Sequence, residues 1–399
     1  MNKTFSLDSA PECTDLGADQ LGALAARLQS LEIPAFASYA PDLAALAAAS
    51  QRYRGKKHVI VEGNGGSMST LRAFVSCFGD RMEQDIHLLD TSDPDAVARI
   101  QARCPAADSV LIVVSKSGES IDAIAAVLAL REYETVFVTG ESGALYELAR
   151  TQGIPELRHP DISGRYSGLT ECALLPAAVL GLDTAELVAG AQDMYRECAP
   201  QAPFASNPAL QLAASLDKLE KEGYTTLFLS MYSRKLAGFF ELITQLFHEG
   251  VCKEGLGQTI YGGEAPENQH HTLQRFNSGR QDSVGIFLTA DSGAEVRLAA
   301  PENIRAIRCR NLTLGQLDGV SLGEVLHTEF QGTWQDTVEK GIPAFHLHVG
   351  EINPRTVGRL IAFWQYAAFY SSVLREVNPF NQPGVERSKQ YIFELLEKR

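Results

Sequence analysis

The residues best equipped for chemistry fall in one stretch, 245–271, QLFHEGVCKEGLGQTIYGGEAPENQHH. It carries the carboxylates Glu249 and Glu254, the amine of Lys253 and the paired imidazoles His270 and His271. An apolar run, 236–247, reads as a helix that delivers Glu249 at its end. Gly250, Gly255, Gly257, Gly262 and Gly263 follow and read as a loop able to approach a ligand closely. Taken singly, a glutamate or histidine on a loop is most often solvated surface. A carboxylate base on a helix end, a glycine-rich loop and a histidine together suit a pocket that moves protons.

Two other stretches suit an anion. HVIVEGNGGSMST, 58–70, is an apolar strand running into Gly63, Gly65, Gly66 and Ser67 before a helix, a unit that can aim backbone N–H groups at a negative charge. Simple chain reversal is the other use of such a turn. Dinucleotide binding fits poorly, because Met68 stands where GxGxxG spacing needs glycine. SVLIVVS, 109–115, ends in SKSGES, where Ser115, Ser117 and Ser120 offer hydroxyls and Lys116 a charge, and the following helix offers its first N–H groups. Arg165, in SGRYSGLT (163–170), has a fixed guanidinium that could stabilise an oxyanion. On composition alone, the tail NPFNQPGVERSK reads as a turn before a solvated terminal helix.

The elements that must position these groups alternate in type. Residues 14–50 hold Leu and Ala at helical spacing (LGALAARL, DLAALAAA) and read as two helices. The strands at 58–61, 86–90 and 109–115, the strand TVFVTG and the intervening helices give a βαβαβα pattern and hence a doubly wound parallel sheet. Residues 184–222 read as helices, with Asn207-Pro208 as a domain joint. YTTLFLS (224–230) starts a second sheet and runs into SMYSRK, an anion-loop counterpart without glycine. SVGIFLT and AEVRLAA read as strands, 321–340 as a helix and FHLHVG as a strand whose His346 and His348 share a face as a structural pair. A long amphipathic helix is expected over 355–377, its aromatics in the core or a subunit interface.

Composition excludes several classes. The 399 residues can bury a large core, and 45% hydrophobic with 21% charged residues is ordinary for a soluble protein. A net charge of −14 lacks the basic footprint nucleic acid requires. No run approaches the roughly 20 apolar residues of a membrane span, and MNKTFSLDSAPEC lacks the core of a secretory signal, so the cytoplasm is the expected compartment. The seven cysteines show no CxxC pair and read as reduced, mostly buried residues, and no metal is expected.

GNGGS, SKSGES, SGRYS, QLFHEGVCK, ENQHH and NQPGVERSK occur in that order between residues 63 and 389, and together resemble the glucose-6-phosphate isomerase family. The resemblance implies two sugar isomerase (SIS) domains, each a doubly wound parallel-sheet α/β/α sandwich, with a C-terminal helical tail. The division expected is N-terminal helices over 1–45, SIS domains over 46–183 and 205–377, and a tail, 378–399, contributing to the active site. It further implies a homodimer with a shared site and cofactor-free aldose–ketose isomerisation of a hexose bearing an anion at C6. In that scheme Glu249 moves the proton between C2 and C1, Arg165 stabilises the enediolate, and His270 with Lys389 opens the ring. Gly65, Gly66, Ser67, Ser115, Lys116, Ser117 and Ser120 cradle the anion, and Gln382 contacts the sugar. The departures are Ser163, Asn64, Glu119, Gly250 and Asn381 in place of the family's glycine, isoleucine, threonine, serine and aspartate, and Glu62 before the first loop. Carboxylates near a dianion leave a sulfonated hexose such as sulfoquinovose, or mannose 6-phosphate, as alternatives to glucose 6-phosphate. A sugar-phosphate sensor on the same fold is the alternative from another class.

Overall fold

A computed structural model describes residues 5–10 and 31–398. In chain order the strands are β1 (Ser6–Ser9), β2 (His58–Gly63), β3 (Asp85–Leu89), β4 (Ser109–Ser115), β5 (Glu134–Thr139), β6 (Glu156–Arg158), β7 (Thr226–Tyr232), β8 (Thr259–Glu264), β9 (Ser283–Thr289), the short pair β10 (Arg308–Cys309) and β11 (Leu312–Thr313), and β12 (Ala344–His348).

The first sheet has the order β3-β2-β4-β5-β6 with every pair parallel. Its central strands are mostly apolar because helices cover both faces, and all of β2 and β4 is buried, their polar residues falling at or near the strand ends. The strand order reverses between β2 and β4, so their C-terminal ends flank the crevice where open α/β sheets receive ligands. Those ends carry the loops that begin at Gly63 and Ser115.

The second sheet, β8-β7-β9-β12, repeats the parallel order and adds β1 antiparallel on its outer edge. One apolar core takes Val59 and Val61 from the first sheet, Leu227 and Leu229 from the second, and the helix Pro354–Leu374. A smaller core, built on Ile60, Leu111 and Phe137, fills the first sheet's other face.

Several expectations change. The helix Pro354–Leu374 is buried around its circumference, including Trp364, Tyr366 and Tyr370, because the helices Thr184–Glu197 and Pro208–Lys221 pack on it; it is central rather than amphipathic. Residues 294–300 form no strand beyond a single bridge from Arg297 to Ser321 and are mostly exposed. Gly262 and Gly263 lie within β8, paired with Leu229 and Ser230, so the glycine-rich loop is shorter than the composition suggests. Asn207-Pro208 starts a buried helix, Asn207 Oδ1 accepting from Leu210 N at 2.9 Å. Of the two N-terminal helices, 43–51 forms and 21–28 lies outside the described residues.

Candidate active site

Glu249 sits in the last turn of the helix Phe239–Gly250, which follows β7, and its side chain is 31% exposed. Three residues hold the carboxylate. Arg165 Nε donates to Oε2 at 3.0 Å, Gln382 Nε2 donates to the same oxygen, and Gln245 Nε2, one turn earlier on the helix, donates to Oε1 at 3.0 Å. Gln245 is fixed in turn by Ser69 Oγ, which donates to its Oε1 at 2.8 Å. Glu249 is thus tied to the turn that carries Arg165, through Gln245 to the helix Gly66–Phe78, and to the tail.

Arg165 lies in the turn Gly164–Leu169 with its side chain fully buried. Its Nη1 donates to the carbonyls of Glu249 (2.9 Å), Pro379 (2.6 Å) and Asn381 (3.2 Å), and Nη2 donates to Asn381 at 3.1 Å. Most of the guanidinium is therefore spent on the base and the tail. Lys253 adds a second tie, Nζ donating to the carbonyls of Gly250 and Asn378. Burial, with Arg165 nearby, brings its ammonium down to about 8, opposed by the charge of Glu249.

The glycine loop meets this centre through its backbone. Gly65, with φ +76°, caps the helix Gly66–Phe78. A Cβ on Gly66 would stand 1.9 Å from the Gly164 carbonyl oxygen, so only glycine lets the helix start against the segment that carries Arg165. Ser67 is buried in the first turn. Alongside, Ser115 ends β4, Ser120 begins the helix Ile121–Ala129 with its side chain capping no backbone N–H, and Ser117 Oγ accepts from Glu119 N at 3.1 Å. Lys116 is exposed and pairs with Asp161 at 2.8 Å, so an anion must compete with that carboxylate. A cleft of about 790 Å³ runs from Lys116, Ser163 and Gly164 to Asn381 and Gln382 of the tail.

Glu62 is buried with Oε2 lacking a hydrogen-bond partner, and burial, with Asp122 beside it, pushes its carboxyl up to about 8. Glu119 is exposed.

Two expected catalytic residues stand apart. His270 ends the short turn Glu267–His270, is exposed and makes no side-chain hydrogen bond among the described residues. Lys389 lies on the terminal helix Pro383–Leu396 and pairs with Glu386 at 3.3 Å. Sequence alone does not mark Gln245 or Ser69 as site residues and gives Lys253 no role. The spacing of Gln245 and Glu249 on an apolar helix was the signal for the first; nothing local marks Ser69.

No protein-family model matches the chain. Individual relatives do. The chain is 32% identical over 333 residues to a "Probable glucose-6-phosphate isomerase" of Halobacterium salinarum, covering 81% of this chain and 76% of that protein. It is 30% identical over 342 residues to its counterpart in Haloarcula marismortui, covering 83% and 76%. The chain belongs to the glucose-6-phosphate isomerase family. The fold agrees: a glucose-6-phosphate isomerase from Chlamydia trachomatis superposes with a TM-score of 0.76 at 17% identity, over 98% of this chain and 88% of that one. A hypothetical protein from Thermus thermophilus gives 0.88 at 23% identity, over 98% and 100%. Within the family frame, the Arg165–Glu249–Gln382 cluster lies at the junction of the two doubly wound sheets. Among the described residues no helix is long and apolar enough to cross a membrane.

Proposed function

We propose that the protein interconverts glucose 6-phosphate and fructose 6-phosphate through a cis-enediol, with Glu249 as the base. The observation that carries this reading is one carboxylate fixed on both oxygens by Arg165, Gln382 and Gln245 beside an anion crevice. In the open-chain aldose, Glu249 takes the C2 proton as the electron pair forms the C1–C2 double bond. A proton passes from O2 to O1, and the carboxylic acid returns its own to C1. The whole exchange is internal, so one carboxylate suffices without a redox partner.

The C6 phosphate is held by the loops at Gly65–Ser67 and Ser115–Ser120, which follow the adjacent parallel strands β2 and β4 and lead into two helix N-termini. Lys116 exchanges Asp161 for the phosphate. A neutral Glu62 removes the charge objection to a dianion at that position. Arg165 acts chiefly as a positioning residue, since its N–H groups face Glu249 and the tail.

The domains divide as 46–183 and 205–377, and a homodimer completes the site. The helix Pro383–Leu396 has no buried residue and leaves Val385, Ile392, Phe393 and Leu396 exposed, a face that a second copy would cover while bringing in Lys389 and His270. Substituting Glu249→Gln keeps the shape and removes the base. The expected outcome is a fall in kcat of about 10³-fold with sugar-phosphate binding retained by calorimetry. Wild-type turnover in that variant would refute the assignment.

A further inference from the structure

At the opposite end of the first sheet from the anion crevice, three ligand-type side chains, His58, His87 and Cys104, converge, with Asp85 beside the first of them. His58 opens β2 and Asp85 opens β3 as its register partner; two residues on, His87 pairs with Ile60. The two-residue period of a strand places His58, Asp85 and His87 on one face. Cys104 ends the helix Pro94–Arg103, which crosses that face. His58 and Cys104 are buried, His87 is partly buried, and Asp85 is 62% exposed, leaving a path from solvent.

The contacts are His58 Nδ1 to His87 Nε2 at 3.4 Å, His87 Nε2 to Cys104 Sγ at 3.2 Å, and His58 Nδ1 to Asp85 Oδ2 at 3.4 Å. The histidine and cysteine ligand atoms all lie within 4.8 Å of one another. Tetrahedral zinc, with ligands at about 2.0–2.3 Å, sets its donor atoms roughly 3.3–3.6 Å apart. His87 Nε2 faces both His58 Nδ1 and Cys104 Sγ, so the three ligand atoms already stand at the spacing a single metal ion would bridge.

The geometry points to a divalent zinc-type site formed by His58 Nδ1, His87 Nε2 and Cys104 Sγ, with the neighbouring Asp85 carboxylate within reach of the fourth position. Two neutral imidazoles, a thiolate and a carboxylate balance a doubly charged ion, as a mostly buried site requires. The C-terminus of the helix Pro94–Arg103 contributes a further negative dipole end.

The test is titration of chelator-treated full-length protein with Zn²⁺ and, separately, Co²⁺, in a Cys309→Ser background that removes the thiol exposed among the described residues. One equivalent of zinc per chain is expected, with a rise in Tm and a thiolate-to-cobalt charge-transfer band. Cys104→Ser should abolish that band, and His87→Gln should weaken zinc at least tenfold, with circular dichroism confirming that each variant folds. Isomerase turnover should be the same in apo and zinc-loaded protein. Failure to bind zinc, or a cobalt band that persists in Cys104→Ser, would overturn the site.

Discussion

A carboxyl pushed up to about 8 has a consequence that can be measured at Glu62. Its folded-state value exceeds the ordinary 4.5, so the native protein holds the proton more tightly than the unfolded chain. The stability this confers is full below the ordinary carboxylate value and is lost as pH rises through 8. Glu62→Gln, which stays neutral, should therefore gain stability over wild type on the order of 3 kcal/mol between pH 5 and pH 9, read from urea midpoints. The KM for fructose 6-phosphate should rise above pH 8 in wild type and stay flat in the variant. At Gln382 the expectation concerns the base: Gln382→Ala leaves Oε2 of Glu249 held by Arg165 alone, and kcat should drop about tenfold or more while the fold is kept. Arg165→Lys cannot reproduce the fork and should lower kcat and loosen the tail together, which protease sensitivity beyond residue 378 would report.

Among the elements, the helix Gly66–Phe78 does most to align the site. Its start touches the Gly164 carbonyl, its Ser69 holds Gln245, and its Ser76 accepts from Gly238 N at 3.1 Å just before the helix that carries Glu249. Gly66→Ala should force that start apart, costing roughly 3 kcal/mol in urea denaturation and reducing kcat because the base shifts. The strand–loop–helix units around Gly63 and Ser115 were legible in the sequence because their signals are local: β-branched runs, then glycine or serine, then helical spacing. The position of Glu249 at a helix end was legible from the apolar helical run before it. The carbonyl partners of Arg165 were not, since residues 379 and 381 lie more than 200 positions away and a backbone acceptor leaves no mark on composition. The convergence of His58, His87 and Cys104 was equally hidden, each being an isolated residue until β2 and β3 pair. AEVRLAA misled because alternation without burial is a weak strand signal; those residues face solvent.

For the whole molecule, the terminal helix Pro383–Leu396 carries exposed Tyr391, Ile392, Phe393 and Leu395 and cannot be stable through its own contacts alone. Specific activity should therefore fall on dilution through the dissociation range measured by analytical ultracentrifugation. Truncation after Val377 removes the tail held by Arg165 and Lys253 and should abolish turnover while the parallel sheets persist by circular dichroism.

The second sheet's outer strand bears on how the chain is made. β1 pairs with β12 in a register joining Ser6 to His348. The first sheet's strands follow one another within residues 58–158, so it can assemble while synthesis continues. β1, by contrast, emerges from the ribosome before any of that sheet and must wait for nearly the whole remaining chain before its partner exists. Closing so long a loop places this strand late in folding. Until then, the edge of β12 stands open to pairing with the wrong neighbour.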